Sequence, residues 1–115
     1  MEEIAAFTAI ALAKQAYQIY KQVFSSVLFK AFKAKGATPQ RLLWAGTSNK
    51  NPVFKATRYV EELIGPNTVN TMPLETLEAF RTEGIVANTL ETGLDNVSQT
   101  LVEISNAGIN LEEIA

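Results

Sequence analysis

Between residues 46 and 51 the chain crowds hydroxyls, amides and a cation together: Gly46, Thr47, Ser48, Asn49, Lys50 and Asn51. The chemistry such a group suits is the holding of an anion. A phosphate needs backbone N–H donors, hydroxyl donors and a positive charge converging on its oxygens. Gly46 permits close backbone approach, Thr47 and Ser48 offer hydroxyls, and Lys50 supplies the charge. Local sequence alone leaves a second reading open, an ordinary polar loop with a Ser-Asn turn. Further along, Asn70 and Thr71 fall near the end of a second apolar segment, where Asn70 either reaches a substrate or bonds to a neighbouring loop.

The residue inventory narrows the chemistry further. The chain has no histidine and no cysteine, which removes the commonest general base, the thiolate nucleophile, disulfides and thiolate metal sites. What remains is Lys, Asp, Glu, Tyr, Ser, Thr and backbone groups. Glu61-Glu62 resembles a carboxylate pair, but adjacent residues on a helix point about 100° apart, so a solvated helix face is expected.

The elements that must position the loop can be read on either side of it. Leu42-Leu43-Trp44-Ala45 is a continuous apolar run, the pattern of a strand buried on both faces. It opens directly into the polar loop, and the carboxyl end of a buried parallel strand is where α/β proteins place ligands. A helix over about residues 57–64 follows and stops at Gly65-Pro66, read as a C′ glycine and a residue that cannot continue the helix. Residues 68–72 predict a second strand, parallel and adjacent to the first at 41–46, and Pro73 suits N1 of the next helix.

Helical patterns flank this unit. Over residues 4–24, Phe7, Ile10, Tyr17, Tyr20 and Phe24 share a face, with Lys14, Gln15, Gln18 and Lys21 largely opposite. A helix over 26–35 is expected to bury Val27, Leu28 and Phe32 and to end at Gly36. Leu74, Leu77 and Phe80 stripe a helix ending near Gly84, and Thr89 can cap another over 90–106, with Leu94, Val97, Leu101 and Ile104 inward and Gly108 at its end. Asn110-x-x-Glu113 reads as a capping-box start, with Leu111 and Ile114 inward, one turn before the sequence stops. Two parallel strands leave both outer edges unpaired, so residues 1–115 are expected to form a single partial domain, a piece of something larger.

The chain's 115 residues suit one small domain. Hydrophobic residues make up 47%, as in globular proteins, and a net charge of −2 gives no broad handle for nucleic acid or an anionic membrane. Residues 4–13 are apolar, but span about half of the ~20 positions needed to cross a bilayer. Acidic Glu2 and Glu3 precede them where a secretory signal carries positive charge, so a cytoplasmic protein is expected.

Three motifs carry a resemblance: Ala45-Gly46-Thr47-Ser48-Asn49-Lys50-Asn51-Pro52, Tyr59-Val60-Glu61-Glu62-Leu63-Ile64-Gly65-Pro66 and Thr68-Val69-Asn70-Thr71-Met72-Pro73. Together they resemble the seventh and eighth βα units of bacterial transaldolases of the long subfamily. Ala11-Leu12-Ala13-Lys14-Gln15-Ala16-Tyr17 is similar to part of the preceding barrel helix, and Gly108-Ile109-Asn110-Leu111 to the segment after the last strand. The resemblance implies an α/β fold, the C-terminal βα units of a TIM (β/α)8 barrel, present as a partial barrel of two parallel strands and mostly helices. For the parent enzyme it implies transfer of a dihydroxyacetone unit between sugar phosphates of the pentose phosphate pathway, through a lysine Schiff base and without a cofactor.

The same resemblance implies that Gly46, Thr47, Ser48 and Lys50 hold the substrate phosphate, with Asn70 on the substrate side. Gly46 departs from the family, which usually has serine there, and loses a hydroxyl. The family's Schiff-base lysine lies on the fourth strand, and its catalytic aspartate and glutamate on the first and third. No residue of this chain matches them, so no catalytic residue is expected here and the chain alone is expected to be inactive. The partners implied are a sugar phosphate and the remainder of the barrel. A reading from another class is a non-catalytic partial barrel or split-gene product that associates with itself or a complementary chain.

Overall fold

The computed structural model describes residues 2–49 and 51–114, with the side chains of 2–6, 111 and 114 outside the description. Among the described residues the order is α1 (Glu2–Phe24), α2 (Val27–Lys33), β1 (Leu42–Trp44), α3 (Arg58–Glu62), β2 (Thr68–Asn70), α4 (Leu74–Glu83), α5 (Leu94–Asn106) and α6 (Leu111–Ile114). β1 and β2 pair in parallel, with Leu42 opposite Thr68, Leu43 opposite Val69 and Trp44 opposite Asn70. The Thr71 N–H extends the ladder, donating to the Trp44 carbonyl at 3.0 Å. The expected parallel pair is present, but its strands are shorter than 41–46 and 68–72. Gly46 takes a left-handed turn at φ 65°, which ends the first, and Pro73 lacks the N–H that would prolong the second.

Side chains alternate across the sheet, and its two faces meet different surroundings. Leu42 and Trp44 pack on a core of Tyr17, Leu63 and Leu90, joined by Ala13 and Tyr20. Leu43 and Val69 point the other way and are 53% and 37% exposed. The expectation of a strand buried on both faces is therefore corrected: the run is apolar throughout, but the described chain covers only one side.

α1 lies along α5 and carries a row of rings: Tyr17, Tyr20 and Phe24 continue to Phe29 of α2, with successive centroids 5.9, 5.1 and 4.9 Å apart. The Tyr17 hydroxyl donates to the Pro66 carbonyl at 3.1 Å, tying α1 to the turn before β2. Lys14, expected on the polar face, is 6% exposed. Its ammonium donates to the Thr92 carbonyl at 2.9 Å and lies 3.8 Å from Glu62. The neighbouring α5 covers that side of α1, so the long stem is buried and only the charged end needs a partner.

Glycine ends two helices as expected. Gly108, at φ 86°, donates to the Ser105 carbonyl while Ile109 donates to that of Ile104, the paired bonds of a Schellman motif; Gly36, with φ 96°, and Ala37 do the same after α2. Asn110 caps α6, its Oδ1 accepting from the Glu112 N–H at 3.0 Å, while Leu111 and Ile114 lie outside the described side chains. Other local expectations are corrected. Gly65 is not the left-handed residue after α3; Asn67 is, at φ 62°. Pro73 caps α4 from just outside rather than sitting at N1. Thr89 caps no helix: its hydroxyl bonds to the Glu61 carbonyl and accepts from the Ile64 N–H, while α5 begins behind Gly93.

The apolar stripes of α2 and α4 face away from the chain's own core. Val27 and Leu28 are 84% and 70% exposed and Phe32 is exposed as well, which corrects their expected burial; Leu74 and Leu77 of α4 are exposed too. The Cα radius of gyration, 16.0 Å, exceeds the about 13 Å of a self-contained domain of this length.

Candidate functional site

The segment leaving β1 is built by its own short polar side chains. Gly46 needs its left-handed φ of 65° for the turn, and a Cβ there would meet nothing within 4 Å, so the glycine answers to conformation rather than to space. Thr47 turns inward and is buried, its hydroxyl donating to Asn70 Oδ1 at 2.7 Å, with the Thr71 carbonyl at 3.3 Å. Ser48 is half-buried. Asn49 Oδ1 accepts from the Asn51 N–H at 3.1 Å and Asn51 Oδ1 from the Val53 N–H at 3.0 Å, two Asx turns in succession. Asn49 Nδ2 donates across the loop to the Lys55 carbonyl at 3.2 Å. Lys50 lies outside the described residues.

The structure thus brings Gly46, Thr47 and Asn70 together where β1 and β2 end side by side, with Ser48 next along the loop. A cavity of about 370 Å³ opens beside them, lined by Ile10, Trp44, Gly46, Thr47, Tyr59 and Leu63 among others. Trp44 and Asn70 fall on the same face of the sheet, the face toward the helices, so Asn70 stands at the strand end on the loop's side rather than across the sheet from it.

Arg58, the first residue of α3, did not stand out in the sequence. Its guanidinium carbon lies 4.2 Å from the centroid of the Phe54 ring and 5.0 Å from that of Phe7, a cation between two aromatic faces. The spacing of Phe54 and Arg58 carried part of the signal; Phe7, on α1, joins them only in the fold. This stack fixes the far end of the loop against α1.

Of the expected solvated pair, Glu62 keeps a 44% exposed side chain, whereas that of Glu61 is 16% exposed. Glu61 is held 2.6 Å from the Lys55 ammonium and accepts from the Ile85 N–H at 3.0 Å, whereas Glu62 faces Lys14. Burial pushes the Glu61 carboxyl upward, but the bonds from Lys55 and Ile85 outweigh it and leave the group below its ordinary value. Among the described residues no three His, Cys, Asp or Glu side chains gather into a metal-binding group, and no helix is long and apolar enough to cross a membrane. What the site can do is bind: it offers loop amides, a half-buried hydroxyl and a carboxamide at the carboxyl ends of two parallel strands.

A parallel β-α-β unit with helices on one face and its ligand-type loop at the strand ends is an open, partial α/β fold, of the kind that a section of a TIM barrel presents. The sequence model of the Transaldolase/Fructose-6-phosphate aldolase family matches residues 2–115, and the chain belongs to that family. It is 45% identical over 111 residues to a transaldolase of Trichodesmium erythraeum (strain IMS101), covering 96% of this chain and 29% of the relative. It is 48% identical over 107 residues to a transaldolase of Neisseria meningitidis serogroup A, covering 93% and 30%. With a transaldolase of Parafrankia sp. (strain EAN1pec) it shares 41% over 114 residues, covering 98% and 31%. The chain therefore spans less than a third of the length of these curated relatives.

Proposed function

We propose that this chain is the phosphate-holding part of a transaldolase, a single partial domain carrying the last βα units of the barrel. The parent enzyme transfers a dihydroxyacetone unit between sugar phosphates of the pentose phosphate pathway, in the cytoplasm, through a lysine Schiff base. Covalent catalysis of that kind requires the amine and its acid/base partner in one site. Both belong to barrel strands other than β1 and β2, so this chain contributes binding rather than bond-making. The observation that carries the reading is the placement of the Gly46–Thr47–Ser48 segment at the carboxyl end of a parallel strand, in a family whose members matched here are transaldolases.

Borohydride trapping with a ketose phosphate tests it. The chain alone should trap no sugar adduct. The chain joined to the preceding strands of the Neisseria meningitidis relative should trap one on the relative's segment. An adduct on this chain by itself, or none on the completed barrel, would contradict the reading.

A second reading, a non-catalytic partial barrel that associates with itself or with a complementary chain, is favoured by the uncovered apolar faces of α2, α4 and the sheet.

A further inference from the structure

Thr47 is poorly placed to touch a ligand. It is 2% exposed, and its hydroxyl lies 2.7 Å from Asn70 Oδ1. A hydroxyl has one hydrogen to donate, and the Thr71 carbonyl at 3.3 Å is the weaker claimant. Asn70 is left with its carbonyl oxygen engaged inward. Its Nδ2, among the described residues, makes no hydrogen bond, and the residue is half-buried at the end of β2, beside the end of β1. A carboxamide whose oxygen is held on one side presents its N–H donors on the other.

We propose that Thr47 and Asn70 act as one recognition unit, in which the buried hydroxyl orients the carboxamide so that Asn70 Nδ2 donates to a phosphate oxygen of the substrate. The inference rests on the phosphate reading above and changes its set of ligands. Asn70 becomes a group that touches the phosphate, and Thr47 becomes a positioning residue.

Asn70→Asp separates recognition from mere stitching. It keeps an acceptor for Thr47 but turns a carboxylate oxygen, in place of N–H donors, toward the phosphate. The experiment is a phosphorus-31 NMR titration of the full chain with inorganic phosphate at constant ionic strength, alongside circular dichroism in chloride. Asn70→Asp should bind phosphate at least about tenfold more weakly than the wild type with its secondary structure intact. Thr47→Val should weaken binding as well, and Thr47→Ser should restore it, which keeps the test open if the aspartate variant fails to fold. Wild-type affinity in Asn70→Asp and Thr47→Val would overturn the inference; if Lys50→Ala still lost phosphate, the loop reading would survive. No phosphate binding by the wild type would overturn both.

Discussion

Gly65 and Leu90 meet so closely that no methyl group fits between them: a Cβ on Gly65 would lie 2.8 Å from Leu90 Cδ2. Leu90 is fully buried and belongs to the small core under β1, so it has nowhere to retreat. Gly65→Ala should therefore destabilise the chain by about 1–3 kcal/mol through overpacking. Leu90→Ala should cost roughly 2–5 kcal/mol by opening a cavity. Urea denaturation of both singles and the double variant checks this, and the double should lose less than the sum because the smaller side chain admits the new methyl.

Lys14 joins α1 to the turn before α5 through its bond to the Thr92 carbonyl at 2.9 Å. Lys14→Ala removes a buried stem and leaves that carbonyl without its donor, for an expected loss of about 1–3 kcal/mol. Lys14→Met keeps the stem and should lose less. Equal urea midpoints for wild type and Lys14→Ala would show that the bond contributes nothing.

Stability should fall at both ends of the pH range, for different reasons. The Glu61 carboxyl lies below its ordinary 4.5 in the folded state, burial being outweighed chiefly by the Lys55 ammonium. The folded chain then binds fewer protons than the unfolded one, so this stabilisation is complete above pH 4.5 and is lost as pH drops through the lowered value. The Tyr17 phenol is raised above 10.0, first by burial and then by Glu91. Its contribution is complete below pH 10.0 and is lost as pH rises through the raised value. Melting curves against pH should show Glu61→Gln flattening the acid limb and Tyr17→Phe the alkaline one.

Much of this architecture was legible because its signals are local. The apolar run at Leu42–Trp44, the loop behind it and the stop at Gly108 each need only their neighbours. What the sequence hid was contact across the fold. Lys14 looked solvent-facing until α5 was laid against α1. Thr89 looked like a helix cap, although its nearest unsatisfied groups lie at the end of α3. Gly65 looked like a left-handed terminator, whereas its lack of a side chain admits Leu90. In the site, the loop and Asn70 were both legible as candidates, but the Thr47–Asn70 bond and the Arg58 stack depend on packing between distant segments.

The chain should associate in solution. Its accessible area is 7967 Å², against about 6,200 Å² for a folded monomer of this size, and large apolar side chains lie exposed on α2, α4 and the open face of the sheet. Sedimentation velocity at micromolar concentration should show dimers or larger species, and Val27→Lys with Leu28→Glu should shift the population toward monomer. A wild-type chain that sediments as a monomer and melts cooperatively would mean that these faces need no partner.

The central claim, that the loop after β1 holds a substrate phosphate, is tested most directly by the kinetics of Lys50→Ala in a barrel completed with the preceding strands of a relative. A charge-assisted hydrogen bond to phosphate is worth roughly 1.5–3 kcal/mol. KM for sugar phosphates should therefore rise about tenfold or more, while unphosphorylated sugars are affected much less. An equal effect on phosphorylated and plain sugars would contradict the assignment.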